Sequence, residues 1–194
     1  GTVDLEGAPD VHVVLSQPKL LTLFVYLALA RRGKLQRRDR LAGLLWGEQP
    51  EERARASLRT ALHTLRGALG DDMILRRGDS EVGIDASRLA CDAFEFEDAI
   101  GRGELAYALE LYRGPFLDGL LPDTAALQHW IDERREAYRT QAASAAWSLA
   151  ERYESQSADL TSAARWARRA AKLAGTDERR VRRVMELLVR AGDV

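Results

Sequence analysis

The segment Pro50 to Gly70, PEERARASLRTALHTLRGALG, leaves the chain little choice of local structure. Leu58, Leu62, Leu65 and Leu69 recur at helical spacing with Ala61 between them, so one side is apolar and packs against a core. Proline suits the first turn of a helix and Glu51 and Glu52 complement its positive end, while Gly70 falls where a left-handed cap closes it. The same spacing turns Arg55, Arg59, His63 and Arg66 outward, with Ser57, Thr60 and Thr64 beside them. Guanidinium groups grip phosphates or the edge of guanine, so such a face suits a nucleic-acid groove. Taken alone, the segment is explained more readily as an ordinary amphipathic surface helix.

The neighbouring segments change that balance. Gly33 to Trp46, GKLQRRDRLAGLLW, predicts a second helix from Leu41, Leu44 and Leu45, with Asp39 in its first turn. The link Gly47-Glu48-Gln49 is short and opens with glycine, as a tight helix-turn-helix requires. Upstream, Ser16 is a capping residue, Pro18 is tolerated in a first turn, and LLTLFVYLALA is apolar enough to be a central helix. Ahead of it, Val3 and Leu5, then the alternating Val11, Val13 and Leu15, fit short strands. Downstream, Met73 to Arg77 and Glu81 to Asp85 flank Gly78-Asp79-Ser80, which reads as a hairpin.

The runs KLLTLFVYLAL, RRDRLAGLLW and ERARASLRTALHTLRGALG, followed by the hairpin, resemble the DNA-binding domain of bacterial activators of the antibiotic-regulatory-protein type (SARP), an OmpR-like winged helix-turn-helix. CDAFEFEDAI, ALELYRGPFLDGL and HWIDERREAYR resemble the bacterial transcriptional activation domain (BTAD) of the same family, so the likeness covers nearly the whole chain. It implies a mainly α protein. An α+β winged helix occupies residues 1–90, and an all-α, tetratricopeptide-like domain occupies residues 91–194. It also implies base contacts from Arg55, Arg59, Thr60, His63 and Thr64, and phosphate contacts from Arg66, Arg76 and Arg77. Double-stranded DNA is the implied partner, with RNA polymerase and a second copy on repeated sites left open. Two departures stand out: Gln36 replaces the usual Ser or Thr helix cap, and the wing tip carries Asp79 and Glu81, which repel phosphate unless Arg76 and Arg77 compensate.

A net charge of −1 conceals an uneven distribution. From Ser16 to Gly70 the Lys and Arg residues far outnumber the acids Asp39, Glu48, Glu51 and Glu52, whereas Asp71 to Arg135 is acidic on balance. A basic region joined to an acidic one attracts a phosphate backbone with the first and keeps it from the second. A length of 194 residues suits one or two domains that need no disulfide or metal. The single cysteine, Cys91, has no internal partner, and with no apolar run of membrane-spanning length and no signal pattern the expected location is cytoplasmic.

Beyond Ala86 the pattern is helical over Asp92–Gly101, Glu104–Tyr112, Thr124–Tyr153, Ala158–Ala174 and Asp177–Ala191, the third long enough to accommodate a kink. Leu149, Ala150 and Tyr153, then Ala163, Ala167 and Ala170, follow the small-residue pattern of a tetratricopeptide repeat, which serves either a partner surface or plain core. Phe94, Phe96 and Ile100 are apolar groups available to dock the helical domain on the winged helix. The resemblance implies that a further helical pair follows a turn like the closing Ala191-Gly192-Asp193-Val194, so the chain is expected to be truncated at its C-terminus.

An enzyme is not expected. There is no Walker loop, dinucleotide fingerprint or nucleophile elbow, and His12, His63 and His129 stand singly, with no cofactor or metal motif. Two classes remain: a sequence-specific DNA-binding regulator, and a protein-interaction module of winged-helix shape that no longer binds DNA.

Overall fold

The computed structural model describes residues 7, 10–30, 32, 34–156, 159–175 and 178–192. They form a mainly helical protein with one small antiparallel sheet, and the chain divides into two compact units. One unit comprises residues 2–90 and 117–132, the other residues 91–116 and 133–194.

The first unit opens with α1 (Val11–Leu15), which replaces the strand expected from Val11, Val13 and Leu15. Its buried residue is Val14, which the alternating pattern skips, and the Asp10 N–H donates to Ala68 O at 3.4 Å. Helical burial of one valine thus overrides a two-residue period too short to specify a sheet. The proposed strand at Val3 and Leu5 lies outside the described residues. Ser16 does not cap the next helix. It ends α1, where its hydroxyl donates to Val13 O, and Gln17 stands at the N-cap of α2 (Pro18–Leu29). Residues Leu20 to Ala28 are all buried, as befits a helix apolar on every side.

The second predicted helix begins later than expected. Gln36 and Arg37 form β1, with Gln36 buried, and α3 runs Arg38–Trp46 from an N-cap at Arg37. Gln36 is therefore a sheet residue and not a helix cap. The turn to α4 (Glu51–Leu69) is short; a Cβ at Gly47 would lie 2.5 Å from Gly43 O, so glycine is what lets the chain turn this closely. Pro50 occupies the N-cap of α4 and its carbonyl accepts from the Ala54 N–H. Gly70 closes the helix at φ 96° and ψ 149°, a conformation essentially reserved for glycine, although not the left-handed cap the sequence suggests.

A single 3-10 turn, Asp71–Met73, leads into β2 (Ile74–Arg77) and β3 (Glu81–Ile84). The order β1-β3-β2 puts β3 in the middle, with Ile74 opposite Ile84 and Arg77 opposite Glu81. Val82, Gly83 and Ile84 are buried accordingly, and the Arg38 N–H reaches across to Ser80 O in the hairpin loop at 2.9 Å. The segment 117–132 belongs to this unit. Thr124 Oγ1 donates to Leu44 O at 2.8 Å, Trp130 meets the edge of Tyr26 with ring centroids 5.0 Å apart, and Leu127 and Ile131 are buried.

The second unit is helical: α5 (Asp92–Arg102), α6 (Leu105–Leu111), the 133–155 part of α7 (Ala125–Ser155), α8 (Leu160–Ala174) and α9 (Glu178–Ala191). Gly103, left-handed at φ 74°, ends α5. α7 is one continuous helix. Ala99, Ala108, Ala142, Ala145, Ala146 and Ala170 surround Phe96, Leu109, Tyr138 and Leu149 in one cluster. Ala150, Ala163, Ala164 and Ala167 meet Val184 and Leu187 in another. Alanines at these positions let helix backbones approach closely. Phe96, with Tyr138 edge-on at 5.7 Å, lies within this unit's own core, and Ile100 packs on the same cluster. Two of the three apolar side chains singled out for docking, Phe96 and Ile100, thus pack within this unit's own core. Burial pushes the Cys91 thiol pKa up, and no helix among the described residues is long and apolar enough to cross a membrane.

Candidate nucleic-acid interface

α4 buries Ala54, Leu58, Leu62, Leu65 and Ala68 and turns the opposite side to solvent. Arg59 and His63, one turn apart, are both exposed, and Arg59 has no hydrogen-bond or ion-pair partner among the described residues. Thr60 is exposed beside them and Thr64 is half-buried. Their hydroxyls donate back to the helix, Thr60 to Ala56 O at 3.2 Å and Thr64 to Thr60 O at 3.1 Å, which leaves methyl groups and oxygen lone pairs for a ligand. Ala56 and Gly67 lie on the same face, so this ridge is low. A low ridge allows a helix backbone to approach base edges closely.

The other predicted contacts differ in character. Arg55, with a side chain 49% exposed, is held from both sides: Nε donates to Asp39 Oδ1 at 3.2 Å, and Nη2 lies 2.6 Å from Glu51 Oε1. It therefore ties α4 to α3 across the turn. Arg66 departs from the expected outward row, since its side chain is only 19% exposed and its Nε sits 3.7 Å from Asp71 Oδ1. Arg66 lies two turns along the same stripe as Arg59, so the difference comes from its place in the last turn of α4, where the following 3-10 turn brings Asp71 within reach. Arg76 is exposed on β2 without a partner among the described residues, whereas Arg77 pairs with Glu81 directly across the hairpin.

The structure thus brings Arg59, Thr60, His63 and Thr64 together on one surface and engages Arg55, Arg66 and Arg77 with acids of the same unit. Sequence reasoning passed over Arg53. It is exposed, without a partner among the described residues, and it shares a flank with Ser57, Thr60 and Thr64. The spacing 53, 57, 60, 64 was a usable signal. Lys19, which lies on α2 and borders the same flank, had none. A comparison with protein-family models finds no match, and neither does a search of curated proteins.

Proposed function

We propose that this protein is a sequence-specific, double-stranded-DNA-binding transcription regulator whose first unit is a winged helix-turn-helix. In this reading α3 and α4 are the paired helices, α4 enters the major groove, and the β2–β3 hairpin is the wing that meets the adjacent backbone. The observation that carries it is the low outer ridge of α4, where Arg59, Thr60 and His63 stand exposed and Arg59 has no acid to neutralise it among the described residues. Arg59 suits a guanine edge, and the threonine methyls suit thymine. Arg76 is the wing's available cation. The alanine-rich second unit, with its tetratricopeptide-like pattern on α7 and α8, acts as the activation domain toward RNA polymerase, and self-association on repeated sites and a cytoplasmic location go with that role.

A second reading, an interaction module without DNA binding, draws on the engagement of Arg55, Arg66 and Arg77 by acids. Selection from a pool of random-sequence duplexes, followed by affinity against salt, separates the two. A DNA reader enriches one motif and loses affinity steeply as salt rises, because bound counterions are released. No enrichment together with a flat salt response leaves the interaction module.

A further inference from the structure

Arg53 and Arg55 lie two residues apart on α4, so they point to opposite flanks of the helix. The Arg55 flank is electrostatically satisfied by Asp39, Glu51 and Asp71. The Arg53 flank borders an open groove of about 410 Å³, also lined by Lys19, Trp46, Ser57, Thr60 and Thr64. Two cations face this groove. Arg53 is uncompensated among the described residues, and Lys19 is fixed in place, its Nζ 3.0 Å from Asp123 Oδ2 and 5.7 Å from the centre of the Trp46 ring. The hydroxyls along the wall are already donating, Ser57 to Gln49 Oε1 at 3.3 Å and the threonines to their own helix. The donors left for an incoming acceptor are therefore the guanidinium, the ammonium and the side-chain amide of Gln17, which also lines the groove. An anion of single charge matches them, because Asp123 already offsets part of Lys19.

We propose that this groove seats a backbone phosphodiester of the bound duplex, with Arg53 as its donor and Lys19 as the second positive charge. The proposal rests on the reading of α4 as the groove-entering helix and replaces Arg66 as the phosphate contact on that helix. A helix lying in the major groove has a phosphate strand along each flank. The Arg53 flank of α4 offers an uncompensated cation beside a cleft.

The test uses the full chain and a pool of random-sequence duplexes, recording the selected motif and the dependence of log affinity on log salt. Arg53→Ala is expected to keep the motif and make the salt slope shallower by about one unit, with Arg53→Lys restoring most of it. Lys19→Gln acts in the same direction and less strongly. Arg66→Ala keeps the wild-type slope. Thermal unfolding of Arg53→Ala should match wild type, since the side chain is exposed. A wild-type slope in Arg53→Ala, while Arg59→Ala still alters the motif, overturns the phosphate groove and leaves the reading of α4 standing. An altered motif in Arg53→Ala also overturns it, by making Arg53 a base reader. Wild-type protein that shows no salt-dependent duplex binding overturns both.

Discussion

The two sides of α4 are built from different residue types, leucine and alanine inward and mainly arginine, threonine and histidine outward, and do different work. On the inner side, Leu58, Leu62 and Leu65 are buried and anchor the helix by apolar contact, which is insensitive to salt and to the identity of any ligand. On the outer side, four arginines divide again by their surroundings: Arg55 and Arg66 have acids within reach, and Arg53 and Arg59 have none among the described residues. A guanidinium is always charged, so its availability to a phosphate or a base depends on whether a carboxylate in the same molecule already occupies it. Counting cations along a helix overstates the interface for that reason.

The largest effect is expected where the inner side is broken. Leu65→Ala, at a fully buried position, should cost about 2 to 5 kcal/mol of stability, through lost transfer energy and a cavity. Denaturant titration measures it. A loss well under 1 kcal/mol would mean that the inner face is not the anchor. The protein that remains folded should select an unchanged motif.

Next comes Arg59→Ala, which should leave stability within about 0.5 kcal/mol yet weaken the preferred duplex by about 1 to 3 kcal/mol and relax preference at one base pair. If the variant selects the wild-type motif with undiminished preference, the outer ridge does not read bases. Arg66→Ala is expected to do the reverse of a phosphate contact: binding at every salt concentration stays near wild type, and the change appears only as a small shift in melting temperature. A uniform loss of duplex affinity would return Arg66 to the interface.

Smallest is the effect of Asp39→Asn. Exposed ion pairs contribute little to stability, so melting should barely move. With Asp39 neutralised, Arg55 keeps only its pair with Glu51 and becomes partly available to phosphate, so non-specific duplex affinity at low salt should rise slightly. Weaker binding would show that Asp39 orients Arg55 for use, and unchanged binding that Glu51 alone keeps it occupied.

Much of the helical layout was legible because its signals are local. The leucine spacing of α4, the continuous apolar run of α2, and the Gly78-Asp79-Ser80 turn each act over a few residues, and the observed Glu51–Leu69, Pro18–Leu29 and Ile74–Ile84 segments follow them closely. The misreadings were also local, but at places where two patterns compete. Val11 to Leu15 satisfies both a two-residue and a helical period, and burial of Val14 decided for the helix. Gln36 looked like a failed helix cap until pairing with Val82 placed it in β1. Within the candidate interface, exposure of Arg59, Thr60 and His63 followed from the helical period, whereas the burial of Arg66 depended on Asp71 and the turn after the helix.

Sequence alone determined the longer helices, which face of α4 is apolar, and where the basic and acidic halves of the chain lie, since periodicity and charge order are properties of the chain itself. Tertiary structure alone decided which charges are free. It also returned Leu117–Asp132 to the first unit, put Lys19 beside Arg53 across a groove, and kept Phe96 for the core of the second unit. Each of these outcomes joins residues distant in sequence. An ion pair such as Lys19 with Asp123 forms only once packing has brought its partners within a few ångströms, a distance that no spacing along the chain encodes.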